Sequence, residues 1–224
     1  MNRKLISNSN FVLRKVINTE KNLDIIKDFI EGILQIEIQK IELNKYLKGR
    51  KDLPKEENFG VADVRVETPK EEINVGIQII DGKYIRNKSL IYYAQIHLNQ
   101  LYHGKNRKFV RTETINIIDD SIFEKEYYHN VIKIESRDKK EENLVCLHYI
   151  ELPKFRIRSN KILTKEEQWI AFIKQDANYR NKEVLKNKKI LKLDNLLEDY
   201  WKKEKMEWNP SFINFIFHII NVYL

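Results

Sequence analysis

Two apolar segments with a polar connection between them occupy residues 59–80, which read FGVADVRV (59–66), ETPKEE (67–72) and INVGIQII (73–80). Both segments are short, rich in β-branched residues and roughly alternating, a pattern typical of strands. The connection is polar and contains Pro69, a residue common in turns. We therefore predict an antiparallel β-hairpin over these residues.

The segments before and after the hairpin have apolar residues at helical spacing. The first predicted helix follows Thr19, its predicted N-cap, and has Glu20 in its first turn. Its apolar stripe consists of Leu23, Ile26, Ile30, Ile33 and Leu34. The second predicted helix runs from residue 84 to residue 102. Its stripe, which we expect to face the core, consists of Ile91, Ala94, Leu98 and Leu101.

The remainder of the chain adds strands and then helices. Residues 112–118 and 144–152 predict two further strands, and the pattern is helical from Thr164 onward. This order predicts an α/β protein with additional helices at its C-terminal end. We expect an α/β core over residues 1–160 and a helical C-terminal region over residues 161–224.

The composition permits a nucleic-acid partner without requiring one. The 224 residues include 41 Lys and Arg against 33 Asp and Glu, a formal net charge of +8. Such an excess suits a polyanion, although a general compositional bias could produce it as well. Cys146 is the only cysteine, which excludes intrachain disulfides and thiolate-rich zinc sites, and its apolar neighbours predict a buried hydrophobe. The five histidines are scattered without the spacing of metal ligands.

No segment of the sequence predicts a membrane span. The polar N-terminus lacks the apolar stretch of a secretory signal. The most apolar tract, residues 212–224, is too short to cross a bilayer comfortably and predicts a docked amphipathic helix. We therefore expect a soluble, cytoplasmic protein without a membrane partner.

Asp63 is the residue of the hairpin that most needs an explanation. It lies among apolar residues in the first strand, where an unpaired buried charge would be energetically expensive. Exposure on the polar face of a half-buried strand is one explanation. The other is chemical, because acids on adjacent strands of a hairpin can converge on Mg²⁺ and serve phosphodiester cleavage.

Several segments, in order, resemble the PD-(D/E)xK nuclease family of transposase-like, recombination-promoting proteins. The similar segments are residues 10–34, 61–66, 73–78, 88–101, 115–119 and 148–155. Together they extend over roughly residues 10 to 175. The resemblance implies a restriction-endonuclease-like core, a mixed sheet flanked by helices, in a Mg²⁺-dependent DNA endonuclease.

The resemblance also implies roles for individual residues. Asp63 would be the principal metal ligand, and Gln78 would stand where related nucleases often have lysine. Glu20 would be an auxiliary catalytic acid or, equally well, a charge that stabilises a helix N-terminus. Gly76 stands where the family pattern has glutamate, which weakens Mg²⁺ binding and puts cleavage in question. The acids of the connection that could replace it are Glu67, Glu71 and Glu72, although an exposed polar turn is the stronger interpretation of these three.

Basic side chains around the second helix form the candidate DNA-binding surface, because they could contact phosphates beside the site. These residues are Lys83, Arg86, Lys88, Lys105, Arg107 and Lys108. A further basic run consists of Lys154, Arg156, Arg158 and Lys161. The tyrosines among these charges are Tyr84, Tyr92, Tyr93 and Tyr102, most of which we interpret as core or boundary residues rather than base-stacking ones.

Three functions stay open at the level of the sequence. The first is a Mg²⁺-dependent DNA endonuclease of the recombination-promoting type, impaired at Gly76. The second is a catalytically inactive DNA-binding or regulatory protein with the same fold. The third is a structural protein that forms a homodimer through the apolar tract from Trp208 onward.

Overall fold

A mixed six-stranded sheet forms the centre of the molecule. The computed structural model describes residues 13–44, 60–80, 83–102, 109–134, 145–157, 162–174 and 182–207. The strands are β1 (Lys40–Leu43), β2 (Ala62–Glu67), β3 (Glu72–Ile80), β4 (Thr112–Ile118), β5 (His129–Ile134) and β6 (Val145–Glu151). Their order in the sheet is β1-β2-β3-β4-β6-β5. Strands β3, β4 and β6 run parallel to one another, while the pairs β1–β2, β2–β3 and β5–β6 are antiparallel.

The predicted hairpin is confirmed as β2 and β3. In its register Asp63 lies opposite Gly76, and Val64 lies opposite Val75. The turn is closed by Thr68, whose hydroxyl donates to the carbonyl of Glu71 at 2.8 Å and accepts from the Lys70 and Glu71 amides at 3.2 and 3.1 Å. Such local side-chain bonds satisfy the backbone of a turn and so fix the register of the strands beside it.

Helices cover the two faces of this sheet. The helices are α1 (Leu23–Leu34), α2 (Ile85–Asn99), α3 (Lys165–Lys174), α4 (Lys182–Leu185) and α5 (Lys188–Glu207). Among the residues that the structure describes, no helix is long and apolar enough to span a membrane. The first predicted helix is present as α1, and the two later predicted strands are present as β4 and β6.

The two faces have different coverings. The face that we call the α1 face carries the side chains of Val64, Val75, Ile115 and Ile150, which share one hydrophobic cluster with residues of α1, α3 and α5. The opposite face, the α2 face, carries Asp63, Gly76, Gln78, Asn116 and Tyr149 and is covered by α2. The C-terminal helices α3 and α5 thus share a core with the sheet, and the division at residue 160 stays a prediction.

The apolar stripe predicted for the second helix is wrong. Its four residues are all exposed, and the buried side of α2 instead consists of Ile85, Ser89, Tyr92, Tyr93 and Ile96. These residues also recur at helical spacing, so the sequence contained two competing stripes. The buried stripe includes Tyr92, whose hydroxyl donates a hydrogen bond to the backbone of the sheet, a contact that the aliphatic stripe could not make.

Several local details also differ from the sequence expectation. Thr19 precedes a 3₁₀ turn (Glu20–Asn22) rather than α1 itself, and its side chain makes no cap hydrogen bond. Strands β1 and β5 were not predicted, because both are edge strands with partly exposed residues, β1 has only four residues and β5 does not alternate regularly. The apolar tract of residues 212–224 lies outside the described residues.

Candidate active site

Asp63 is buried near the start of β2 on the α2 face. Its side chain belongs to a residue that is 1% exposed, and its Oδ2 atom is buried as well. Asn44 Nδ2 donates a hydrogen bond to Asp63 Oδ1 at 2.7 Å. The explanation that Asp63 is exposed on the polar face of a half-buried strand is therefore wrong. Asp63 is a buried carboxylate, which is energetically expensive unless it has partners.

Two asparagines form a hydrogen-bonded chain with this carboxylate. The amide nitrogen of Asn44 also donates to Oδ1 of Asn74, so both of its hydrogens are directed at oxygen atoms. Asn74 in turn donates to the backbone oxygen of Ile96 in α2 at 3.2 Å. Leu43, the last residue of β1, pairs with Val64 of β2. This pairing brings Asn44, the next residue, beside Asp63. Sequence reasoning missed both asparagines because neither belongs to a recognised acidic motif.

Helix α2 occupies the space above Gly76. A Cβ atom at this residue would lie 2.5 Å from Ile96 Cδ1 and 2.9 Å from Tyr92 Cε1. Both distances are shorter than the contacts that Cβ atoms make in proteins. The Tyr92 hydroxyl donates to the backbone oxygen of Ala62 at 2.9 Å and lies 3.3 Å from that of Ile77. This tyrosine is buried, in agreement with its prediction as a core residue. The position where the family pattern has glutamate thus has no room for a larger side chain.

Gln78 lies on the same face as Asp63. It follows Gly76, the register partner of Asp63, by two residues along β3. It is buried, and its Nε2 atom donates to Asn116 Oδ1 on β4 at 2.6 Å. Asn116 passes this contact on by donating to the backbone oxygen of His148 at 2.9 Å. Gln78 is therefore bound into a polar network that crosses the sheet from β3 to β6.

The donor set around Asp63 does not fit Mg²⁺ well. This ion binds oxygen ligands, usually including one or two carboxylates. Here the atom that approaches Asp63 Oδ1 is an amide nitrogen, and the adjacent strand contributes Gly76 instead of an acid. Within the described part of the chain, Asp63 belongs to no group of three carboxylate, histidine or cysteine ligands. The side chains around Asp63 therefore do not form a binding site suited to Mg²⁺.

The other predicted acids lie away from Asp63. Glu20 is exposed in the turn before α1, and α1 packs on the opposite face of the sheet. Glu72 forms an ion pair with Arg65, and Glu71 approaches Arg111 at 3.3 Å. Both glutamates, with Glu67, belong to the turn end of the hairpin, four or more residues along the strands from Asp63 and Gly76.

The predicted DNA-binding residues fall into three groups. Lys83 and Arg86 are exposed at the start of α2 and Lys88 is partly exposed. Arg86 donates to the backbone oxygen of Ile122 at 2.8 Å and lies 5.5 Å from the ring centroid of Phe123. The remaining three, Lys105, Arg107 and Lys108, lie outside the described residues, as do Arg158 and Lys161.

Lys154 does not belong to a DNA-binding surface. Its side chain is 6% exposed and pairs with the fully buried Glu151 at 2.8 Å. Lys154 also donates to the backbone oxygens of Phe123 and Lys125. The pair therefore fastens the segment between β4 and β5 to the end of β6, which is a structural role.

A second polar group was missed from the sequence. Glu113, Cys146 and His148 are all buried, and their side chains meet on the α1 face. Burial, followed by the nearby charge of Glu113, raises the pKa of the Cys146 thiol to about 12, which agrees with its prediction as a buried, unreactive side chain. The histidines looked scattered because the pairing of β4, β5 and β6, not sequence spacing, brings two of them together.

The fold and the sheet pairing define a protein class. An antiparallel β-meander that continues through a helix into parallel strands, with helices on both faces, is a restriction-endonuclease-like α/β fold. A family model described as "PD-(D/E)XK nuclease family transposase" matches residues 8–210, and the chain belongs to this family. A search of curated proteins and a search of solved structures each found no match.

Proposed function

We propose that this chain binds DNA through a nuclease scaffold whose Asp63 site cleaves phosphodiester bonds very weakly or not at all. The observation that carries the proposal is the packing of Tyr92 and Ile96 over Gly76, which leaves no space for the second carboxylate of the family pattern. Losing a metal-binding carboxylate weakens Mg²⁺ binding, because the ion keeps its waters unless anionic ligands compete for them. Family membership supports DNA as the substrate class.

The charge of the protein supports an interaction with a polyanion. The formal net charge is +8, and exposed Lys83 and Arg86 lie together at the start of α2. Contacts of lysine and arginine with phosphates release counterions and give affinity that falls steeply with salt. We therefore expect binding that depends on salt and depends little on DNA sequence.

The test measures binding and cleavage on the same preparation. Fluorescence anisotropy with a labelled duplex over a salt series gives the affinity, and plasmid nicking in Mg²⁺ or Mn²⁺ gives the activity. We expect salt-dependent binding by the purified chain and the same trace of cleavage in Asp63→Asn as in the native sequence. Absent or salt-insensitive binding would contradict the proposal and favour the structural homodimer, which a concentration series in analytical ultracentrifugation would then reveal.

The second candidate is a Mg²⁺-dependent DNA endonuclease of the recombination-promoting type. Its support is the buried carboxylate of Asp63 on the same sheet face as Gln78, an arrangement that a purely structural strand does not need. Nicking by the native chain that disappears in Asp63→Asn would establish this candidate. It would contradict the proposal that the Asp63 site cleaves very weakly or not at all. Asp24→Asn is the matched control, since Asp24 lies in α1 and pairs with Lys189 and Lys192.

A further inference from the structure

A buried group of polar side chains lies on the α1 face where β4 and β6 begin. Glu113 and Cys146 are register partners in these parallel strands, and His148 follows two residues later on the same face. The ligand atoms of the three side chains lie within 4.8 Å of one another. Strand pairing therefore brings a carboxylate, a thiol and an imidazole to one point inside the protein.

The separations between these atoms suit a tetrahedral metal site. His148 Nε2 lies 3.3 Å from Cys146 Sγ and 3.2 Å from Glu113 Oε2. Bonds of about 2.0 Å from zinc to nitrogen or oxygen and about 2.3 Å to sulfur put neighbouring ligand atoms roughly 3.3–3.5 Å apart at the tetrahedral angle. The two separations from His148 Nε2 are close to these values, and the sulfur and carboxylate atoms lie within 4.8 Å of one another, so one ion could contact all three after small side-chain movements.

The proposed ligands are oriented by hydrogen bonds and ion pairs from neighbouring side chains, as metal ligands in proteins usually are. His148 Nδ1 lies 2.9 Å from His129 Nε2, and His129 Nδ1 lies 2.7 Å from Glu166 Oε1. Arg111 pairs with Glu113 Oε1 at 3.0 Å, so that Oε2 is the oxygen directed at His148. Outer contacts of this kind fix the tautomer and the orientation of a metal-binding imidazole.

We propose that Glu113, Cys146 and His148 bind a Zn²⁺-class transition metal ion, with a fourth position for water. Thiolate and imidazole ligands favour such an ion over Mg²⁺. On binding, the metal would displace the proton of the Cys146 thiol, so the anionic ligands would be the Glu113 carboxylate and the Cys146 thiolate, with Arg111 and Lys133 as the nearby cations. The ion would tie β4 to β6. This site lies on the face opposite Asp63, so it does not rest on the proposed DNA function.

The test is a Co²⁺ titration of the full chain after removal of metal with EDTA. We expect a thiolate-to-cobalt band in the near ultraviolet and intense visible bands of tetrahedral cobalt. Both should saturate at one equivalent of Co²⁺ and disappear when Zn²⁺ is added. Cys146→Ser should lose the thiolate band. Glu166→Gln, which changes only an outer contact, should weaken metal affinity about 10–100-fold.

The controls separate a metal site from a hydrogen-bonded cluster. Circular dichroism establishes that each variant is folded, and Asp63→Asn should keep the full cobalt spectrum because it alters the other face. A folded native chain that develops no cobalt bands overturns the proposal. An unchanged thiolate band in folded Cys146→Ser overturns it as well, since the chain has no other cysteine.

Discussion

At the scale of the residue, Gly76 and the two α2 side chains above it form one packing unit. The absent Cβ of Gly76 leaves the volume that Tyr92 and Ile96 occupy. The hydroxyl of Tyr92 uses the same opening to reach the backbone oxygen of Ala62. A larger residue at position 76 therefore cannot enter unless the Ile96 and Tyr92 side chains move.

This packing predicts that substitutions of Gly76 destabilise the protein. Overpacking a close-packed core costs about 1–3 kcal/mol, so we expect a loss of that size in the free energy of unfolding of Gly76→Ala. Gly76→Glu should lose more, because it also buries a charge, and should gain no nuclease activity. Urea denaturation and plasmid nicking measure the two effects.

Gly32→Ala is the matched control for Gly76. A Cβ at Gly32 would meet the flexible Lys165 side chain at 3.1 Å, and alanine favours the helix by about 0.8–1.0 kcal/mol over glycine. We expect this variant to be as stable as the native chain or more so. Cleavage by a stably folded Gly76→Glu would show that the packing over position 76 can accommodate a glutamate side chain. The absence of a carboxylate at this one residue would then account for the proposed loss of activity.

At the scale of the element, the rotation of α2 about its own axis sets which residues cover the sheet. Ile96 is 1% exposed on the side that faces Gly76, whereas Ile91 is 51% exposed on the other side. The two isoleucines have the same chemistry and lie in the same helix. They therefore test the observed orientation against the one that the apolar stripe predicted.

We expect Ile96→Ala to lower the free energy of unfolding by about 2–5 kcal/mol, as truncation of a buried isoleucine usually does. Ile91→Ala should stay within about 0.5 kcal/mol of the native value, because its side chain is already in water. Thermal and urea unfolding provide the comparison. Equal losses in the two variants would mean that α2 is rotated differently or that another surface covers Ile91.

The ion pair of Glu151 and Lys154 fastens a connection to the end of β6. Glu151 also accepts hydrogen bonds from the amides of Ile122 and Phe123 at 2.6 and 3.1 Å. Replacing Lys154 with alanine leaves a buried carboxylate without its cation, which costs about 3–5 kcal/mol. Lys202→Ala, at a lysine side chain that is 70% exposed, should change the free energy of unfolding by less than about 1 kcal/mol. Similar unfolding midpoints for the two variants would contradict a structural role of Lys154.

At the scale of the whole molecule, the distribution of charge bears on DNA binding. Each lysine that contacts a phosphate contributes about 0.9 to the slope of log affinity against log salt. We therefore expect Lys83→Ala to reduce the slope by about this amount, while Lys202→Ala on α5 leaves it unchanged. Anisotropy titrations at several salt concentrations measure both slopes. Equal slopes for native and Lys83→Ala chains would place the DNA surface away from the start of α2.

The sequence by itself determined the elements whose signals are local. The alternation of residues 59–66 and 73–80 and the polar turn between them predicted the hairpin, and the spacing of apolar residues predicted α1. The ordered resemblance of longer segments to the nuclease family predicted the fold class and family membership. These signals suffice because each depends on periodicity or on order along the chain.

Tertiary structure alone decided the features that join distant residues. The contact of Asn44 with Asp63 spans 19 residues and that of Tyr92 with Ala62 spans 30, so neither has a local sequence signal. The meeting of Glu113, Cys146 and His148 depends on the parallel register of β4 and β6. The side of α2 that faces the sheet likewise involves distant residues, since Tyr92 donates to the backbone oxygen of Ala62 and Asn74 donates to that of Ile96.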